Sequence, residues 1–299
     1  MYRAGFIGLV GQPNAGKSTL MNALIEEKVS IVSSKPQTTR RRVMGILSQD
    51  DGQIVFVDSP GLIQNSKGLN PFLRHELEDV MSESDVLVAV LPLDEKQKED
   101  MVSIVELVVK SGKPWVAVIT KTNFMEKEHR VGVITNFLSK YSVPVFMVDS
   151  LNLKKETKND IIKVLLNMCP EAPSPLYDIE LFTPHSTREL AAEIVREKCF
   201  EFLHDEIPYG LACRVVSYEE GHDLDKIHME ILIGKENHKS IIIGKEGSTL
   251  KKIGTEARKD IEKILDKKVF LGLKVTFRET WWKNKRILEE LGLDHESRT

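Results

Sequence analysis

An α/β domain built on a mixed, mostly parallel six-stranded sheet, followed by a smaller α+β domain, is the architecture this sequence predicts. Three observations carry it. Short apolar runs alternate with amphipathic stretches through the N-terminal half. The first of these runs leads into Gly11-Gln12-Pro13-Asn14-Ala15-Gly16-Lys17-Ser18, a G-x-x-x-x-G-K-S loop. After prolines at 170, 173 and 175 the pattern changes to a helix, two strands, two helices and a strand. With 299 residues the chain has room for two domains, each large enough to bury its own core.

Residues 6–10 form the first strand, an unbroken apolar run of the kind buried in a parallel sheet. Residues 17–24 open a helix with Leu20, Met21 and Leu24 on one face. A glycine-rich loop between strand and helix lets backbone N–H groups wrap phosphates at a helix N-terminus, with Lys17 reaching the terminal phosphates and the Ser18 hydroxyl suited to Mg²⁺. Residues 33–42 are polar and basic without an apolar period, a loop that a triphosphate and Mg²⁺ could order through the hydroxyl of Thr38 or Thr39. Strands at 43–47 and 54–57 follow. The second runs into Asp58-Ser59-Pro60-Gly61, an acid placed to hold a metal shell and a glycine whose N–H can meet a γ-phosphate. Strands at 86–91, 115–119 and 145–148, with helical stretches such as 101–109 and 161–166, complete a sheet whose ligand loops lie at the strand carboxyl ends.

The boundaries expected are a nucleotide-binding domain over residues 1–170, a stiff Pro-rich linker over 171–186 and a second domain over 187–299. Ser186 offers a helix start, with Leu190, Ile194, Val195 and Phe202 on its buried stripe. Strands at 211–218 and 226–233 precede a helix, the loop Gly244-Lys245-Glu246-Gly247, a longer helix to about 265 and a strand at 269–277. Net charge is −3, which argues against general stickiness toward nucleic acid, yet residues 235–286 hold 15 Lys/Arg against 7 Asp/Glu. A G-x-x-G loop in that basic setting lets a single-stranded backbone approach closely, with Lys239, Lys245, Lys251, Lys252 and Arg258 to hold phosphates. Trp281 and Trp282 read as packing on the sheet, or as one indole stacking on a base. Cys169, Cys199 and Cys213 are scattered without a C-x-x-C pair, which excludes a zinc-finger pattern and suits buried thiols. No run of eighteen apolar residues and no signal pattern is present, so the expected location is the cytosol.

Gly11 to Ser18 with Thr19, then Lys35-Pro36-Gln37-Thr38-Thr39-Arg40, Asp58-Ser59-Pro60-Gly61-Leu62 and the run from Ile242 to Asp260 together resemble the Era family, bacterial GTPases of ribosome assembly. The resemblance covers nearly the whole chain. It implies a P-loop NTPase domain of the TRAFAC type followed by a type II KH domain. It also implies GTP and GDP as ligands, Mg²⁺ held by Ser18, Thr39 and Asp58, and a catalytic set of Lys17, Thr39, Asp58, Gly61 and Asn14. Asn14 would help hold K⁺ near the phosphates, its other reading being a turn residue bonding its own loop. The RNA expected is single-stranded small-subunit rRNA near its 3′ end, on the 30S subunit; the chain is expected as a monomer, with peripheral membrane contact at the inner face of the cell membrane.

The base-recognition elements depart from the family pattern. Asn/Thr-Lys-x-Asp becomes Thr120-Lys121-Thr122-Asn123, and the last element, usually Ser-Ala-x, becomes Asp149-Ser150-Leu151. Thr120, Lys121, Asn123, Ser150 and Leu151 are the expected base-side contacts. An amide at 123 opposes one donor of guanine with a donor, so another NTP, or binding without useful hydrolysis, is the alternative: an RNA chaperone with a degenerate pocket. Thr157-Lys158-Asn159-Asp160 satisfies Thr-Lys-x-Asp literally, and Gln97-Lys98-Glu99-Asp100 imitates it in part, but both stand near helix starts and not at the end of a buried strand. Leu62 stands where Ras-like enzymes place a water-orienting glutamine, which predicts slow intrinsic turnover.

Overall fold

The computed structural model describes residues 1–33, 35, 38–61, 70–93, 98–122 and 128–293. The chain divides into two compact units, Met1–Pro184 and His185–Thr299. Asn123 and the 62–68 stretch expected to respond to the triphosphate lie outside the described residues.

In the first unit, β1 (Arg3–Gly11), β2 (Val43–Gln49), β3 (Gly52–Asp58), β4 (Val86–Pro92), β5 (Trp115–Thr120) and β6 (Val145–Met147) form one sheet in the order β2-β3-β1-β4-β5-β6. Only β2 runs antiparallel to its neighbour. β3, β4 and β5 are buried at every position, which is why they read as continuous apolar runs: helices cover both faces. One face packs on α1 (Lys17–Ile25) and α5 (Lys155–Met168) through Leu20, Met21, Leu24, Ile161 and Leu165. The other packs on α2 (Asn70–Glu83), α3 (Lys98–Lys110) and α4 (Glu128–Ser139) through Leu77, Ile104, Val105, Ile134 and Leu138.

The register aligns the carboxyl ends of the strands. Leu9 pairs with Asp58, Gly11 with Val90, and Pro92 with Thr120. The phosphate loop, the strand-end acid and the base motif therefore meet at one end of the sheet, where ligands bind in open α/β folds.

The Pro-rich stretch expected as a spacer is instead fastened to the first unit. Buried Gln53 accepts from the Leu176 and Tyr177 N–H groups at 2.8 and 2.9 Å and donates to the Tyr177 carbonyl at 2.9 Å. Further on, the Phe182 carbonyl accepts from the Ile46 N–H at 2.8 Å, and Thr183 Oγ1 donates to the Met44 carbonyl at 2.7 Å. The segment thereby satisfies backbone groups on the edge strand β2 that would otherwise template unwanted pairing.

The second unit has the order α6 (Thr187–Phe202), β7 (Leu211–Glu219), β8 (Leu224–Ile233), α7 (His238–Ile243), α8 (Ser248–Leu265), β9 (Lys268–Phe277) and α9 (Lys285–Glu290). Ser186 and Glu189 form a reciprocal capping box that starts α6. β8 is central, antiparallel to β7 and parallel to β9, with α7 and α8 as the crossover. The core lies between the sheet and α6 with α8: Ile194, Val195 and Cys199 meet Ile253, Ala257 and Ile261 over Ile227, Met229 and Ile231. The three cysteines are free and buried. Trp281 is almost fully buried and its indole donates to the Gly210 carbonyl at 3.0 Å, while the Trp282 ring lies against Gly234; both are packing residues.

Candidate nucleotide and RNA sites

Between β1 and α1 the chain passes through two left-handed residues, Asn14 at φ 64° and Gly16 at φ 92°. The glycine is suited to that conformation; Asn is one of the few side chains that tolerates it. A side chain at Gly61 would come within 2.4 Å of the Pro13 nitrogen, so the turn after β3 packs directly on the phosphate loop. From the other side, buried Thr120 Oγ1 donates to the Ala15 carbonyl at 2.6 Å and fastens the end of β5 to the same loop. Thr120 therefore has a structural task whichever base is bound.

Lys17 is buried, and its ammonium donates to the Gly11 and Gln12 carbonyls at 3.2 and 3.0 Å. Burial pushes its pKa below the usual lysine value, and the Asp58 charge pulls it back up. Asp58 is fully buried, and desolvation pushes its carboxyl up against the opposing influences of Lys17 and three hydroxyls. Those hydroxyls all donate to Oδ2: Ser18 Oγ at 2.5 Å, Ser30 Oγ at 2.9 Å and Thr39 Oγ1 at 3.4 Å. Ser18 and Thr39 lie 3.3 Å apart, whereas Thr38 turns to the Lys35 carbonyl. Oδ1 of Asp58 is buried with no hydrogen-bond partner. An all-oxygen set with an unsatisfied buried carboxylate atom fits Mg²⁺ and the waters it retains. No cluster of three His, Cys, Asp or Glu suited to a metal occurs among the described residues, so one carboxylate and two hydroxyls would share the shell with phosphate oxygens.

These groups border a cavity of about 520 Å³. Of the sequence-predicted residues, Pro13, Asn14, Gly16, Lys17, Ser18 and Thr19 line it from the loop; Thr38, Thr39 and Gly61 line it from the segments beside it. Thr120, Lys121, Ser150 and Leu151 line the base side, with Asp149 beside them. Gly11, Gln12, Ala15 and Asp58 are not among the lining residues; each hydrogen-bonds one that is, Lys17, Thr120 or Ser18. Ser33, the first residue of the 33–42 loop, also lines the cavity; sequence reading missed Ile31 and Val32, which line it as well, and Ser30 beside them. The signal for them was Asn22, a polar residue on the first helix: its side chain accepts from the Val29 and Ser30 N–H groups and donates to the Ser30 carbonyl, setting Ser30 on Asp58. The imitation at Thr157 to Asp160 falls inside α5, where Lys158 pairs with Glu26 at 2.9 Å.

In the second unit the loop Gly244 to Gly247 joins α7 to α8 with Gly244, Glu246 and Gly247 all at positive φ. A side chain at Gly244 would come within 2.3 Å of Thr249 Oγ1, so this corner admits glycine alone. Beside the loop runs a groove of about 650 Å³ between α8 and β9. Gly247, Leu250, Lys251, Gly254, Thr255 and Arg258 line the α8 side; Val269, Phe270, Leu271 and Leu273 line the other. Lys245 and Glu246 are exposed at the groove's end. Lys252 is directed elsewhere: its ammonium sits 4.3 Å from the centre of the Phe202 ring on α6. The reason is helical spacing, since 251, 254 and 258 share a face and 252 is rotated about 100° from 251. Lys239, exposed on α7, is not among the groove residues either. Phe270, half exposed at the rim, is an aromatic that sequence reading treated only as strand.

Residues 6–121 match the model of the 50S ribosome-binding GTPase family, and residues 206–282 match that of the KH domain. The GTPase Era of Nitratidesulfovibrio vulgaris strain DP4 is 38% identical, over 98% of this chain and 97% of its own length. GTPase Era of Neisseria meningitidis serogroup C is also 38% identical, over 98% and 95%. Among solved structures, Aquifex aeolicus Era bound to GDP·AlF4⁻ superposes with a TM-score of 0.89 at 31% identity, covering 97% of this chain and 99% of that one. An Era in complex with MgGDPNP and nucleotides 1506–1542 of 16S ribosomal RNA gives 0.90 at 31% identity, covering 98% and 99%. With the phosphate loop, the Asp58 cluster and the G-x-x-G groove all in place, and with that identity along nearly its whole length, the chain belongs to the Era family of GTPases.

Proposed function

We propose that this GTPase clamps single-stranded small-subunit rRNA near its 3′ end and assists 30S subunit assembly, with its RNA grip set by the nucleotide. The observation that carries the reading is the presence, in one chain, of the Lys17–Ser18–Asp58 phosphate cradle and a groove that opens beside a G-x-x-G loop. The relative solved with 16S rRNA supports the choice of RNA.

Lys17 binds the terminal phosphates and exchanges two carbonyl partners for phosphate oxygens. Ser18, Thr39 and Asp58 would hold Mg²⁺, which when bound neutralises charge on the β- and γ-phosphates. Thr39 lies in the segment before β2, so its engagement couples the triphosphate to that segment; Gly61 offers its N–H at the opposite side. Asn14 is the candidate K⁺ contact, being held at positive φ on the pocket wall. Leu62 supplies no polar group to aim the attacking water, so turnover is slow unless a cation or RNA assists.

The base side gives a specific reason to weigh the chaperone reading: Asn123 and the Asp149-Ser150-Leu151 element both depart from the guanine pattern. A panel of GTP, ATP, CTP and UTP at equal Mg²⁺, in K⁺ and in Na⁺, decides it. Selective hydrolysis of GTP, faster in K⁺, is the expected result. Tight binding without turnover of any of the four would favour the chaperone.

No helix among the described residues is long and apolar enough to cross a membrane. The cytoplasm is the proposed location, with the basic C-terminal surface available for peripheral contact.

A further inference from the structure

Guanine presents two donors on one edge, N1–H and the 2-amino group, and discrimination for it requires two acceptors side by side. Asn123 supplies one acceptor and one donor. A site that bound GTP through this residue alone would leave donor facing donor. The described residues that line the nucleotide cavity include a single carboxylate, Asp149.

Asp149 stands beside the base motif. The Val148 N–H donates to the Ile119 carbonyl at 2.9 Å and the Thr122 N–H reaches the Val148 carbonyl at 3.5 Å, which sets Asp149 beside Thr120 and Lys121. Its carboxylate is held in place: Oδ1 accepts from the Leu151 N–H at 3.1 Å, Oδ2 accepts from Asn152 Nδ2 at 2.8 Å, and its carbonyl accepts from the Asn152 N–H at 3.1 Å. Each carboxylate oxygen retains a second lone pair. A turn that fixes a carboxylate without exhausting its acceptors is suited to recognition, because little ordering remains to be done on binding. Lys121 lines the same wall.

We propose that Asp149 is the specificity-determining residue of this GTPase: its carboxylate accepts from guanine N1–H and the 2-amino group, a task that the residue at 123 does not perform in this chain. The exchange is reciprocal in sequence, an amide standing where the family pattern has the acid and an acid standing where it has a serine. The proposal rests on the GTP-binding reading of the site.

The test uses the full-length protein and three nucleotides. XTP carries a C2 carbonyl in place of the 2-amino group, and ITP lacks the substituent. Asp149→Asn preserves an acceptor for the Leu151 N–H and turns the other carboxylate oxygen into a donor, which Asn152 can meet by presenting its amide oxygen, so the turn is retained. The parent is expected to prefer GTP to XTP, and Asp149→Asn to move that ratio toward XTP by on the order of a hundredfold, with the gap between GTP and ITP closing. Asn123→Asp in the parent is expected to raise GTP affinity by less than about threefold, since the edge is already read. A GTP:XTP ratio unchanged in Asp149→Asn overturns the proposal, whether affinity is retained or all three nucleotides weaken together as a damaged turn would produce. A gain of about tenfold or more in Asn123→Asp overturns it too and assigns the edge to position 123. Failure of the parent to bind any of the three would overturn the GTP-binding reading itself.

Discussion

Lys17→Ala is expected to weaken GTP binding by roughly a thousandfold or more while leaving the fold intact, because the ammonium acts as a point charge on the terminal phosphates and has no substitute in the loop. The side chain is buried, with two backbone carbonyls as its partners, and burial lowers its pKa; a phosphate would be a far better partner. The damage reaches the metal side as well. Lys17 is the largest influence opposing the desolvation that pushes the Asp58 carboxyl up. Without it the desolvation of Asp58 is less well opposed and its carboxyl is pushed further up, which disfavours the charged form that suits Mg²⁺, so Mg²⁺ dependence should weaken with nucleotide affinity. Fluorescent-nucleotide titration at several Mg²⁺ concentrations checks both, and thermal unfolding without nucleotide checks the fold. Equal affinity in mutant and parent would remove the phosphate assignment.

The second large effect concerns RNA. Replacing Lys245 and Glu246 together by aspartate should weaken single-stranded RNA binding by roughly a hundredfold at low salt, since the change places a carboxylate where the loop needs a cation near phosphates. Aspartate tolerates the positive φ that Glu246 adopts, so the loop keeps its path between Gly244 and Gly247. GTP affinity in the absence of RNA should not move. Anisotropy titrations at two salt concentrations separate the terms: the parent loses affinity with salt more steeply than the variant. RNA affinity retained in the variant would mean that the groove beside α8 is not the RNA site.

Much of this molecule is legible in its sequence because short-range physics decides it. Doubly buried strands read as apolar runs, and the phosphate loop carries its glycines and lysine in fixed order. The capping pair Ser186 and Glu189 announces α6 three residues apart. Long-range pairing is not legible in the same way. The Pro-rich stretch looks like a spacer until Gln53, more than a hundred residues earlier, is seen to bind Leu176 and Tyr177. Helices α2 and α4 escaped the sequence reading: α2 buries Leu73, Leu77, Val80 and Met81 at helical spacing among many charges. Lys252 belongs to the same basic run as Lys251, and only the helix register sends one to the groove and the other to Phe202. At the nucleotide, motif spacing locates Asp58 but not Ser30, which reaches the carboxylate through a loop that Asn22 holds.

The decisive measurement is the affinity of single-stranded RNA from the 3′ end of small-subunit rRNA for the full-length protein loaded with Mg-GDPNP and with Mg-GDP, together with GDPNP affinity with and without that RNA. If the nucleotide sets the RNA grip, RNA binds the GDPNP form about tenfold or more tightly, and linkage requires RNA to change the GDPNP:GDP preference by the same factor. Equal RNA affinity in the two states, with nucleotide preference indifferent to RNA, would show two independent binding domains on one chain and contradict the switch.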